Sequence, residues 1–202
     1  MNNTKTKRNL IGSIGLLSAL VVVAAPVFVA QALTDTSTVT VIVDKVISVS
    51  SADTVSFTVI PTTDGVLSND SDIVTVSTNS TLGYNLSISA SDATAVLTGS
   101  PSGTIPASAN TYATPAVLAN NTWGYAVPSL GAFDASYATE TNSSTSTSKW
   151  AGMPILASLQ NIKSTSSVAS GDTTTVWYAA KANFSTPAGT FTDIVTYTAL
   201  AK

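Results

Sequence analysis

The sequence predicts an all-β protein: a single Ig-like, Greek-key type β-sandwich over residues 33–202, behind an N-terminal signal peptide helix over residues 1–32. Three observations predict it. Short alternations of apolar and polar residues, rich in Val, Ile, Thr and Tyr, recur along the chain, and a period of two marks a half-buried strand. Gly, Pro, Asn and Asp punctuate the intervals, as at Asp64-Gly65 and between Asn79 and Gly83, and these are turn signals. Beyond the leader no stretch repeats its apolar residues at the helical period, so no amphipathic helix is expected. Many short strands separated by turns pack as a sandwich or a barrel.

The leader opens the chain. Lys5, Lys7 and Arg8 precede an apolar run from Leu10 to Ala30, and Ala30-Gln31-Ala32 supplies small residues at its end. Charge, apolar stretch and small-x-small together predict a secretory signal peptide cleaved after Ala32. The run is also long enough for an uncleaved membrane anchor, although Pro26 near its end argues for the signal. In both cases the positive end stays inside and the remainder lies outside the cell.

The strands follow. Residues 37–50 form a first strand, in which Val39, Val41 and Val43 alternate with Thr38, Thr40 and Ile42; Asp44 and Lys45 interrupt it, and Ile47 and Val49 resume. Residues 54–60 form a second, with Val55, Phe57 and Val59 on one face. Pro61, which has no N–H to donate, stops it. Residues 62–71 read as a loop, 73–78 as a third strand, and 84–90 as a fourth with Tyr84, Leu86, Ile88 and Ala90 on one face. Residues 91–119 carry Pro101, Gly103, Pro106 and Pro115 without clear period; they read as a long connection with one short strand at most. Residues 121–127 place Trp123, Tyr125 and Val127 together before Pro128. Residues 131–152 are the second long connection, and the Ser/Thr run 138–148 inside it reads as exposed loop. Another strand is expected near 156–162.

The strongest pattern closes the chain: residues 173–200 read as two strands joined by one tight turn, a hairpin against which the rest packs. Val176, Tyr178, Ala180, Ala182 and Phe184 share a face of the first; Phe191, Val195, Tyr197 and Ala199 share a face of the second. Pro187 presets φ for the second position of a type I turn, and Gly189 suits the positive φ that follows.

Composition narrows the function. Charged residues make up 9% of the chain, against about 25% in a typical soluble domain. The polar surface is therefore mostly Ser, Thr and Asn, and its sheet edges are poorly guarded against self-association. The net charge is −3, and outside the leader only Lys45, Lys149, Lys163, Lys181 and Lys202 are basic. This excludes a nucleic-acid partner and leaves membrane contact to the leader, if it is uncleaved. The absence of Cys excludes a disulfide scaffold and a thiolate metal site. With no His either, Ser-His and Cys-His nucleophile systems are impossible.

Two segments resemble the WxL-type domain of Gram-positive bacterial cell-surface proteins. Gly83-Tyr84-Asn85-Leu86-Ser87-Ile88 is similar to that family's first motif, Gly-Trp-x-Leu at the start of a strand. Pro187-Ala188-Gly189-Thr190-Phe191-Thr192, followed by Tyr197-Thr198-Ala199, is similar to its terminal motif, a Pro-Ala-Gly-Thr turn leading into a Trp-x-Leu strand. Tyr84 and Tyr197 stand where the family has tryptophan, and Ala199 where it has the last leucine. The resemblance implies a β-sandwich held non-covalently on the cell wall.

Candidate site residues are few. Tyr84 and Tyr197, by the resemblance, and Trp150 and Trp177, as aromatics that can stack on sugars, are the candidate wall or glycan contacts; core packing is the competing use of such large apolar rings. Glu140 and the aspartates are the only candidates for acid–base work, and Glu140 sits in a Ser/Thr loop. Asn69-Asp70-Ser71-Asp72 offers oxygens for calcium but does not match the known twelve-residue loop. Lys45 beside Asp44, and Lys181 beside Asn183, are the candidates for an internal isopeptide bond.

No catalytic residue, metal or cofactor is expected, and the chain is not read as an enzyme. The expected function is that of an exported surface protein associated non-covalently with the cell wall, with wall polymer or other surface proteins as partners. Two alternatives stand beside it: a pilin-like filament subunit assembling by β-strand addition through residues 39–49, and a glycan-binding adhesin.

Overall fold

The structure is a computed structural model that describes residues 33–202; the predicted signal peptide lies outside the described residues. Residues Ile42–Lys202 form one compact unit. Its strands are β1 (Ile47–Ser50), β2 (Val66–Thr78), β3 (Tyr84–Ala90), β4 (Val96–Ser100), β5 (Thr104–Pro106), β6 (Thr122–Ala126), β7 (Gln160–Ser164), β8 (Ala169–Ala182), β9 (Thr190–Thr192) and β10 (Val195–Ala201). One turn of 3-10 helix, Leu156–Ser158, precedes β7.

The fold is the expected all-β sandwich. One main sheet has the order β1-β2-β8-β6 and the other β10-β3-β7; a small third sheet has the order β5-β4-β9. Every ladder is antiparallel. Strands that pair are remote in sequence: β2 lies beside β8, and β3 beside β10. The connections between such strands cross from one sheet to the other.

The core forms where the inner faces meet. Tyr84, Leu86, Ile88 and Ala90 are wholly buried on β3, as their alternation predicts. Val74 and Val76 from β2, Tyr125 from β6, Ile162 from β7 and Val176 from β8 complete the same cluster. Burying each aliphatic side chain of this kind contributes about 1.5–3 kcal/mol before entropy is counted.

Several sequence expectations are corrected. The closing hairpin is absent: β8 pairs with β2 and β6 in one sheet, while β10 pairs with β3 in the other. The chain turns at Asn183, where the Thr186 N–H bonds the Asn183 carbonyl, and not at Pro187. Gly189 is needed for close approach, since a Cβ there would meet the Ser100 carbonyl oxygen at 2.7 Å. Phe184, placed on the inner face by its parity, is exposed because the strand has ended.

The first strand is shorter than residues 37–50; only Ile47–Ser50 is strand. Its template, β2, ends at Thr78, and the Asn79 side chain then takes the Val46 N–H and donates to the Asp44 carbonyl. Residues 54–60 keep the predicted alternation, with Val55, Phe57 and Val59 half-buried against the core, yet they form no ladder. The outer edge of the first half of β2 is taken by the loop at 138–143 instead. Leu67 and Ser143 exchange backbone bonds, and the Asn69 N–H reaches the Glu140 carbonyl.

The same contacts explain two further differences. Residues 66–71, expected as loop, belong to β2, because Ser68 and Asn69 find partners in the loop for their buried side chains. The loop in turn is stitched down rather than free, and Glu140 accepts hydrogen bonds from Ser146 and Ser148. The connection 91–119 holds two strands, β4 and β5, which carry β9 beside them.

Candidate functional site

The four candidate contact residues are dispersed. Tyr84 and Trp150 are wholly buried. Neither presents a ring to a sugar, which corrects their assignment as wall or glycan contacts. Trp177 and Tyr197 are half-buried. Trp177 stacks on Tyr137 at 6.2 Å, and Tyr137 meets Trp150 edge-on at 5.0 Å. This aromatic group packs the 131–152 connection onto β8, so its rings are used internally.

Tyr84 follows Gly83, whose φ of +80° only glycine adopts easily. Its hydroxyl donates to Asp172 Oδ2 on β8 at 2.8 Å, and Lys163 Nζ on β7 reaches Asp172 Oδ1 at 2.7 Å. The hydrogen bond from Lys163 holds the Asp172 carboxyl below its ordinary range. Burial, then the bond to Asp172, holds the Tyr84 phenol above its own. At neutral pH Asp172 is therefore a carboxylate and Tyr84 a neutral phenol. The group ties the two main sheets together.

The remaining candidates are occupied elsewhere. Asp72 is buried and accepts the Ala52 N–H, and Asp70 accepts that of Ser71. Among the described residues no three His, Cys, Asp or Glu side chains converge on a metal position. Lys45 Nζ donates to the Lys202 carbonyl, and Asn183 Oδ1 accepts the Ser185 N–H.

The structure shows an arm, within the residues 39–49 that the filament alternative names, and a seam that sequence reasoning did not locate. In the arm, Val39, Val41, Ile42 and Val43 are 85%, 78%, 84% and 79% exposed. Two open hollows of about 290 and 330 Å³ flank its root: the first is lined by Val43, Lys45, Leu82 and Lys202, the second by Val46, Ile47, Thr78 and Ala169. The seam lies where β1, at the edge of one main sheet, passes beside β10, at the edge of the other, without a ladder between them. Among the described residues the outer edge of β10 has no backbone partner. Ile47, Val195, Tyr197 and Ala199 on these two strands are only partly buried. The alternation of residues 39–43 was the available signal for the arm; no sequence signal marks which strand ends up at an edge.

Compared with known proteins, the chain matches no family model, no curated sequence and no solved structure.

Proposed function

We propose that the protein is an exported, non-catalytic structural protein of the cell surface, held at the cell wall without a covalent link to wall polymer or to neighbouring surface proteins. The observation that carries this reading is the arm. Apolar, alternating residues displayed to solvent directly after a signal-like leader are an interaction element rather than core. Two further features support it. The segments similar to the WxL motifs pair with each other, Tyr197 opposite Ile88 and Ala199 opposite Leu86. The titratable groups of the body are spent on holding its sheets and loops together.

Fractionation of the native cell tests the proposal. The protein is expected in the wall fraction, released by concentrated chaotropic salt without wall-degrading enzymes. Recovery from the cytosol would overturn it.

The arm also favours a second reading, a filament subunit that adds a strand to its neighbour. Electron microscopy of purified material tests it: regular filaments support it, and monodisperse particles at high concentration remove it.

A further inference from the structure

We infer that the seam beside β10 is an acceptor site for residues 38–43 of a second copy of this chain. The inference rests on the structural reading above and names its partner.

The donor has the required form. Paired as a strand, residues 38–43 put Val39, Val41 and Val43 on one face and Thr38, Thr40 and Ile42 on the other. The acceptor has the complementary form. Among the described residues the outer edge of β10 carries no ladder; β1, four residues to its seven, passes beside part of it, so a donor of about 20 Å pairs along the whole edge by displacing β1. On its core side Val195, Tyr197 and Ala199 remain half-buried, leaving apolar surface that an added strand covers. Neither the donor residues 38–43 nor β10 carries a charge, so no like-charge pair opposes the ladder.

The other open edge of this sheet, β7, is a poorer fit. Its sequence is Gln160-Asn161-Ile162-Lys163-Ser164, and only Ile162 is buried apolar. A strand added there gains backbone bonds but covers little apolar surface. With the valines turned toward the core, Thr40 of the donor falls on the same outer face as Thr196, Thr198 and Leu200 of the acceptor.

The chain has no cysteine of its own, which makes the test direct. Two full chains of different tag length are prepared, one carrying T40C, the other T196C, T198C or L200C, and mixed under mild oxidant. Thr40, Thr198 and Leu200 are exposed, and circular dichroism verifies each fold. At least one pair is expected to give a mixed disulfide dimer, in yield about tenfold above that of T40C with N161C on β7, since only directly opposed residues lie within bonding distance. Adding V41D to the donor should cut that yield at least about tenfold, because it buries a charge on docking. Yields no higher than with N161C, or yields indifferent to V41D, would overturn the inference. A failed cross-link from protein that still fractionates with the wall removes the seam alone; cytosolic protein that still cross-links removes the surface role alone.

Discussion

The hydroxyls of Tyr178 and Tyr197 meet at 2.5 Å in the gap between the two main sheets. Their sequence pattern places them on two arms of a hairpin, but the strands that carry them sit in different layers and the side chains join across the sandwich. Burial is the leading cause that raises both phenols, and each stays protonated far above neutral pH. The pair is therefore a neutral hydrogen bond, and its cost of removal is set by what is left behind.

Replacing Tyr197 with Phe leaves the buried Tyr178 hydroxyl without this partner, a loss of about 1–3 kcal/mol. The double variant Y178F/Y197F orphans neither hydroxyl and should lose less than the sum of the two single variants. Urea unfolding of the three proteins measures this. Strict additivity would argue that the pair does not interact.

The Lys163–Asp172 pair gives an acid limb to stability. Because the folded Asp172 carboxyl is held low, its contribution is complete above the unfolded value of about 3.9 and is lost as pH falls through the folded value. The two side chains are 26% and 33% exposed, so K163M should cost only about 0.5–1 kcal/mol at neutral pH. The variant should also flatten the fall in Tm below about pH 4. An acid limb unchanged in K163M would exclude the pair as its source.

Asp193 has the opposite sign. Its Oδ2 is buried without a partner, and burial raises the carboxyl above its ordinary value. The native state is therefore penalised as pH rises from the unfolded value to the folded one, and by a constant amount beyond. D193N should raise Tm at neutral pH, and the gain should vanish below about pH 3.5. Thermal melts at both ends of the range check it; a gain that persists in acid would point to another cause.

Asn69 holds the 138–143 loop by accepting the Glu140 N–H at 2.7 Å and donating to the Ala138 carbonyl at 3.1 Å. N69A removes both bonds and should speed hydrogen exchange at the Glu140 amide at least about tenfold. Amides of β3, which shares no hydrogen bond with the loop among the described residues, should quicken only with global stability. Equal acceleration everywhere would mean that the loop has no local opening of its own.

Alternation made individual strands legible. β3 begins and ends where its pattern does, because one face is buried from Tyr84 to Ala90. Partner choice was not legible, because period two reports a buried face and says nothing of the edges. Hence β8 and β10 were joined in one hairpin. Ser68 and Asn69 read as loop because buried polar groups are normally avoided; their partners lie in the 131–152 connection, far away in sequence. For the site the limit was similar. Aromatic identity alone did not separate Trp150, wholly enclosed, from a surface ring.

The largest ladder has a temporal consequence. Val66 faces Ala182 and Tyr84 faces Ala201, so an inner strand of each main sheet waits for a partner made much later in the chain. Contacts this distant form late. A ribosome releasing this chain from its amino end holds β2 and β3 without these partners until β8 and β10 emerge.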